Sequence, residues 1–318
     1  QIGDGGKDRT NFMSRELYKK HRPKKLSEVL GQRAAVSILK PALENGNVPH
    51  CLLFTGDSGC GKTTLARITA RGLQCNRVDF QEINAADFRG IDTIRDIRNR
   101  MGMAPISGPV RVWLIDEAHQ LSTAAQDAVL KMLEDTPDHV YFMLATTDPQ
   151  KLKKTIRTRA TEVAVKLLTP RDMYVLMDTI LGREGMEVAA IVQAKVVEYA
   201  EGSARKALVL LNQVVGMASE EDQLQSIEAA DVRPKAIALA RALIDPRNKW
   251  ATVAPLLKDL DDDPETLRRM VLGYASSTLL RGGKHGRAYL LLQAFAEPTY
   301  NTGKPGLVAA CYEVVEAG

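Results

Sequence analysis

The chain has 318 residues, 45% of them apolar, with 43 Lys and Arg against 39 Asp and Glu for a net charge of +4. That length admits two or three domains with full cores, and so small a charge excess excludes a globally basic nucleic-acid binder while leaving room for a local basic surface. No apolar run approaches the ~20 residues that cross a bilayer, no secretion-signal pattern opens the sequence, and Cys51, Cys60, Cys75 and Cys311 lack zinc spacing. The expectation is a reduced, cytoplasmic protein without structural metal.

Residues 1–12 are polar, glycine-rich and aperiodic, and Met13 looks like an initiator. They read as an expression remnant or a disordered arm. The basic run Leu17-Tyr18-Lys19-Lys20-His21-Arg22-Pro23-Lys24-Lys25 is expected to be extended, because Pro23 opposes a helix through it. A helix follows over 33–45, closed by Asn45-Gly46-Asn47 and Pro49.

The apolar run Cys51-Leu52-Leu53-Phe54 leads into Gly56-Asp57-Ser58-Gly59-Cys60-Gly61-Lys62-Thr63, and Thr64-Leu65-Ala66-Arg67-Ile68 continues as a helix. This is a phosphate loop in its proper setting of strand, glycine loop and helix. Glycines let successive backbone N–H groups turn toward phosphate oxygens, Lys62 reaches the outer phosphates, and the Thr63 hydroxyl can hold Mg²⁺. The chain is therefore expected to bind a nucleoside triphosphate, with Gly56 through Thr64 as its cradle.

Five β-like runs follow one another over 51–55, 80–84, 110–115, 140–145 and 162–167, mostly separated by helical patterns. Strands alternating with helices predict a parallel sheet covered on both faces. The run Arg111-Val112-Trp113-Leu114-Ile115 ends on Asp116-Glu117, which would emerge at the carboxyl edge beside the phosphate loop. There Asp116 can hold Mg²⁺ through water and Glu117 can orient and deprotonate an attacking water. The same pair could serve as an acidic helix cap. Thr146-Thr147 end the next strand, where a hydroxyl could touch a phosphate or its water, although threonines are ordinary there.

Past residue 167 the strand signals stop. Met173, Leu176, Met177, Ile180 and Leu181 mark one helical stripe and Ile191, Val192, Val196 and Val197 another. A further helix opens at Gly202-Ser203-Ala204-Arg205, with Ser203 as N-cap. Residues 232–318 are again helical, with one face from Trp250, Val253, Leu256, Leu257 and Leu260 and another from Met270, Val271, Tyr274, Thr278 and Leu279. The division expected is 13–167 for a phosphate-loop ATPase domain, 168–231 for a small helical lid and 232–318 for a helical collar or oligomerisation unit.

These ingredients together resemble an AAA+ ATPase, and more narrowly a clamp-loader ATPase subunit such as the replication factor C small subunits, phage clamp loaders and the bacterial DNA polymerase III tau/gamma subunit. Lys20-His21-Arg22-Pro23 with Gly31-Gln32 is similar to the opening that lies near the adenine, which implies contacts from Arg22, Pro23 and Val29. Asn84-Ala85-Ala86-Asp87-Phe88-Arg89-Gly90-Ile91-Asp92, Leu144-Ala145-Thr146-Thr147-Asp148 and Gly202-Ser203-Ala204-Arg205 also match family runs. The resemblance gives Thr147 the sensor 1 position and Arg205 the sensor 2 position, which contacts the γ-phosphate in cis. Ile156-Arg157-Thr158-Arg159-Ala160 falls where the family carries its arginine finger, so Arg159 is implied to act on a neighbour's ATP, with Arg157 as a rival. Thr158 and Ala160 depart from the family's Ser and Cys.

The resemblance further implies that helices beginning near Arg89-Gly90 and Ser122 track a DNA duplex by its phosphates, with Lys131 as a basic contact. It implies that Gln126 couples neighbouring subunits. Arg95 and Arg98 share a helical face and read equally well as solvated. The cysteine insert that bacterial tau/gamma subunits carry after the position of Cys75 is missing, a compactness nearer the phage and replication factor C small subunits.

The expected fold is thus an α/β AAA+ sheet with a helical lid and collar. The expected activity is DNA-stimulated ATP hydrolysis with Mg²⁺. The implied partners are primer–template DNA, a sliding clamp and other clamp-loader subunits in a pentameric ring or spiral, with no membrane. The alternatives are another AAA+ DNA-remodelling ATPase, for branch migration or recombination, and a non-hydrolysing structural subunit.

Overall fold

The computed structural model describes residues 16–87, 91–229, 233–258, 260, 262–280, 286–299 and 302–317. The chain divides into two compact units, Gln1–Leu224 and Gln225–Gly318. Residues 1–12 and the Arg89-Gly90 pair lie outside the described residues.

The first unit is built on five parallel strands, β1 (Cys51–Thr55), β2 (Phe80–Asn84), β3 (Arg111–Asp116), β4 (Val140–Thr146) and β5 (Thr161–Ala164), in the order β2-β3-β4-β1-β5. Alternation along the strands splits their side chains between two cores. Leu53, Trp113, Ile115, Phe142 and Leu144 face one side, with Ile94, Ile97, Val129, Met132 and Ile156 packed against them. Leu52, Phe54, Val112, Leu114 and Met143 face the other, against Leu39, Leu65 and Ala66. The helices supplying the first face are α4 (Ile91–Met101), α5 (Thr123–Glu134) and α6 (Lys154–Arg159). Those on the second are α2 (Arg33–Glu44) and α3 (Lys62–Gly72). A sheet apolar on both faces needs this double cover, which is why its three central strands, β1, β3 and β4, read as nearly unbroken apolar runs while the edge strands β2 and β5 carry polar residues.

Apart from one-residue shifts at the ends of α2, β3, β4 and β5, two differences from the sequence expectation have a local reason. Lys19 and Lys20 belong to a single helical turn, α1 (Leu17–Lys20), and the chain becomes extended only after His21. The fifth strand stops at Ala164 rather than running to 167. Beyond it the Gln32 amide takes over the ladder, donating to the Lys166 carbonyl at 2.6 Å and accepting from the Lys166 N–H at 3.0 Å. Gln32 is buried, and its amide satisfies both backbone groups as a neighbouring strand would.

Four helices follow: α7 (Pro170–Glu184), α8 (Ala190–Ala200), α9 (Ala204–Val214) and α10 (Glu220–Ala229). Met173, Met177, Ile180, Leu181, Val192 and Val196 are buried as the helical spacing predicts, but Ile191 is exposed. Ser203 caps α9 by accepting from the Lys206 N–H.

The second unit contains α11 (Arg233–Ile244), α12 (Trp250–Lys258), α13 (Pro264–Leu280), α14 (Gly286–Ala294) and α15 (Gly303–Ala317) around Leu239, Leu243, Val253, Leu257, Phe295, Leu307 and Val314. The fully buried stripe of α13 is Leu267-Val271-Ala275, while Met270 and Tyr274 flank it. Burial pushes the Glu265 carboxyl up, but hydrogen bonds from Arg268 and the Thr299 N–H outweigh it and bring it to about 2. No described helix is long and apolar enough to cross a membrane.

Candidate nucleotide-binding site

Because all five strands run parallel, the segments that leave their carboxyl ends share one edge of the sheet. The loop after β1, Asp116 at the end of β3 with Glu117 after it, and Thr147 after β4 therefore meet there.

The loop is pinched so tightly that side chains are excluded. A Cβ on Gly56, whose φ is +142°, would lie 2.0 Å from the Val165 carbonyl oxygen. One on Gly59, at φ +73°, would lie 2.2 Å from the Ser203 hydroxyl oxygen at the start of α9. Gly61 precedes α3 with no side-chain cap, so the first N–H groups of that 11-residue helix are left for an anion.

Lys62 is buried and donates to the carbonyls of Gly56 and Asp57, each at 2.9 Å. The Thr63 hydroxyl donates to Asp116 Oδ2 at 2.7 Å, and Asp116 Oδ1 accepts the Glu117 N–H at 2.9 Å. Hydroxyl and carboxylate thus converge from the first turn of α3 and the end of β3. Among the described residues no group of three or more His, Cys, Asp and Glu could hold a metal. One carboxylate and one hydroxyl still fit Mg²⁺, which keeps waters and takes the rest of its shell from phosphates.

Glu117 has left-handed backbone, φ +50°. Its carboxyl is raised above the usual glutamate range, first by burial and further by Asp116, while Lys62, a hydrogen bond from Thr147 and Arg205 oppose the rise. One side chain not picked out from the sequence, His119, braces this corner. His119 Nδ1 lies 3.4 Å from Glu117 Oε2 and 3.0 Å from Thr146 Oγ1. The signal available was a histidine two residues beyond the acidic pair.

A cleft opens over the loop, lined by Ser58 through Thr64, Asp116, Glu117 and Arg205 among its polar residues and by Pro23, Val29, Leu168, Leu176 and Leu208 among its apolar ones. The apolar lining suits a base and the polar lining suits phosphates. Arg22 also lines it, its guanidinium pKa lowered first by burial and then by Arg67, with Arg205 adding to the effect. The Arg205 guanidinium sits 5.8 Å above the Tyr18 ring, within cation–π range. On the same opening segment, Lys20 at the end of α1 and His21 just after it both pair with Glu184 of α7, tying the opening segment to that helix.

Arg159 lies apart from the cleft. It is exposed on α6, donating to Glu134 Oε1 at 2.7 Å and to the Thr155 carbonyl at 3.3 Å. Arg157 donates to Gln150 and leaves its Nε buried without a partner. The Ser122 hydroxyl accepts the Ala125 N–H as N-cap of α5, and Lys131 is exposed on that helix. Gln126 is turned inward: its amide donates to the Leu121 and Lys151 carbonyls and accepts the Lys153 N–H. Arg95 and Arg98 are exposed on α4.

A family model described as DNA polymerase III, delta subunit, matches residues 31–169. The gamma/tau subunit of DNA polymerase III from Mycobacterium tuberculosis is 37% identical over 227 residues, covering 64% of this chain and 39% of that protein. The Escherichia coli tau subunit is 34% identical over 234 residues, 67% of this chain and 36% of the relative. The Buchnera aphidicola gamma subunit is 32% identical over 231 residues, 66% and 64%. The chain thus spans about two fifths of the length of the mycobacterial relative and less than two thirds of the others. Among solved structures, the Thermotoga maritima RuvB Holliday junction branch migration motor superposes with a TM-score of 0.59 at 21% identity, covering 86% of this chain and 91% of that one, which speaks to the fold alone. The parallel sheet, the phosphate loop at its carboxyl edge and these likenesses agree: the chain has the AAA+ fold and is related to the clamp-loader AAA+ subunits.

Proposed function

We propose that this chain is the DNA-stimulated ATPase subunit of a sliding-clamp loader, with residues 168–231 as lid and 232–318 as collar. The observation that carries the reading is the convergence of Lys62, Thr63, Asp116, Glu117 and Arg205 on one cleft, while Arg159 stands outside it. Thr63 and Asp116 would hold Mg²⁺, which neutralises phosphate charge when bound. Glu117 takes the proton of the attacking water, and Thr147, next to it at the sheet edge, helps fix its orientation. Lys62 exchanges the carbonyls of Gly56 and Asp57 for outer phosphate oxygens, and Arg205 approaches from the lid.

Arg159 supplies transition-state charge stabilisation to a neighbour's ATP, so hydrolysis requires an assembled ring or spiral, five subunits by family analogy. Primer–template DNA is followed by its phosphates along α4 and α5, from Arg89, Gly90, Ser122 and Lys131, without reading bases. The protein would work in the cytoplasm. ATP turnover measured with the clamp and primed DNA from the same source tests the reading. The two together should stimulate more than additively. Stimulation by four-way junctions with indifference to clamp would overturn it in favour of a branch-migration motor, and zero turnover with every partner supplied would point to a structural subunit.

A further inference from the structure

A second concavity lies on the same unit and shares no lining residue with the nucleotide cleft. It is about 730 Å³ in volume, within the range of sites that take ligand-sized groups. Its walls are the turn at Lys24–Ser27, the face of α2 bearing Val36, Lys40, Leu43 and Glu44, and the end of α3 at Ile68, Arg71 and Gly72. The floor is aliphatic, from Leu26, Val36, Leu43 and Ile68. Gly72 lets the two helices close over it, since a Cβ there would meet the Leu43 side chain at 2.7 Å.

The charge around this floor is one-sided. Lys24, Lys25, Lys40 and Arg71 line it against Glu44 alone, and Glu44 is itself 3.9 Å from Lys40. Glu28, next along the turn, spends its carboxylate on the Lys24 backbone N–H at 2.7 Å. No aromatic side chain lines the groove, so it offers no platform on which single-stranded bases could stack. A concave aliphatic floor is equally ill-suited to a phosphate backbone, which needs charge along its track rather than apolar surface.

We propose that this groove docks an acidic amphipathic segment of a partner protein, its aliphatic side chains on Leu26, Val36, Leu43 and Ile68 and its carboxylates against Lys24, Lys25, Lys40 and Arg71. The pairing is a helix-in-groove type of recognition in which apolar anchors supply affinity and the charged rim supplies selectivity and encounter rate. None of these residues belongs to the proposed catalytic set, so the inference stands apart from the ATPase reading.

The test is a random 12-residue peptide display selection on the full chain, followed by fluorescence anisotropy of the enriched peptides. Binding is compared between wild type and a K25E/R71E variant whose nucleotide binding and melting are checked in parallel. A milder K25Q/R71Q variant serves if the charge reversal fails to fold. Enriched peptides should combine Asp or Glu with Leu, Ile or Val, lose at least 10-fold in affinity in the variant and weaken as salt rises. No enrichment, neutral or basic winners, or undiminished binding to the variant would each overturn the proposal. A 20-base-pair duplex that binds wild type but not the variant and displaces the peptides would make the face a nucleic-acid surface. Concentration-dependent self-association abolished by the variant would make it an interface between copies of the chain. Either result refutes the proposed occupant.

Discussion

Substituting Gly59 with alanine perturbs the contact between the phosphate loop and the first turn of α9, and the structure fixes what each part should cost. At φ +73° an alanine pays the left-handed backbone strain, about 1–2 kcal/mol. Its Cβ would also sit 2.2 Å from the Ser203 hydroxyl oxygen, which must swing away and abandon the Lys206 N–H. Losing a serine N-cap costs about 1 kcal/mol. G59A should therefore destabilise the first unit by about 2–3 kcal/mol. S203A alone loses the cap for about 1 kcal/mol. The double variant has no cap left to lose and no hydroxyl to displace, so it should be no less stable than G59A. Urea unfolding of the four proteins gives the coupling, expected at about 1 kcal/mol from additivity. Additive single effects would refute the contact between the loop and the start of α9. A G59A protein as stable as wild type would refute the strained loop.

The remaining expectations concern chemistry and assembly. E117Q should retain nucleotide binding while turnover falls by roughly 10²–10⁴, the usual worth of a general base, and single-turnover ATPase kinetics check it. Because the folded Glu117 carboxyl is raised, its ionisation costs stability as pH climbs from the ordinary glutamate value through the raised one. E117Q should then unfold at higher temperature than wild type above that window and at the same temperature below it, measured by calorimetry across pH; an identical pH profile would contradict the burial argument. R159A should bind ATP normally yet lose DNA-stimulated turnover by about 10³-fold or more, the scale of an arginine finger, and normal stimulated turnover would remove that role from Arg159. E134A frees Arg159 from a pair exposed at 41% and 45% of its two side chains, a contact worth about 0.2–1 kcal/mol. Subsaturating assembly-dependent turnover should thus rise by no more than about 5-fold.

What could be read from the sequence was whatever sits in contiguous residues or follows from parallel topology. β1 and β2 match their expected bounds, and the meeting of Thr63 with Asp116 follows once two apolar runs end in a shared sheet edge. Contacts made by side chains distant in sequence were not legible. Gln32 ends β5 early from 134 residues away, a substitution of side-chain amide for strand that no periodicity encodes. The stacking of Arg205 on Tyr18 and the pairing of Lys20 and His21 with Glu184 depend on where α7 and α9 fold back. Arg159 was picked out by resemblance, but its resting partner Glu134 lies on another helix and carries no local signal.

Gln126 is where that difference has mechanical content. The resemblance gave it a role between subunits, whereas here its amide is spent within the chain, on Leu121, Lys151 and Lys153. Lys153 returns a second tie, its ammonium 2.5 Å from Asp127 on the same helix. These bonds join α5, the proposed DNA-tracking helix, to the segment that starts α6 and ends in Arg159. Thr147 lies on the same path, between β4 and that segment. On the proposed function, a shift of α5 on DNA would move Arg159 against its neighbour's site without any new contact being made. Q126A leaves partly buried donors and acceptors unmatched and should cost about 1–3 kcal/mol. Its distinguishing effect should be elsewhere: nucleotide affinity unchanged, basal turnover retained, and DNA stimulation reduced, with stimulation measured well below the variant's melting temperature. Full DNA stimulation in a measurably destabilised Q126A would show that Gln126 holds the fold and transmits nothing.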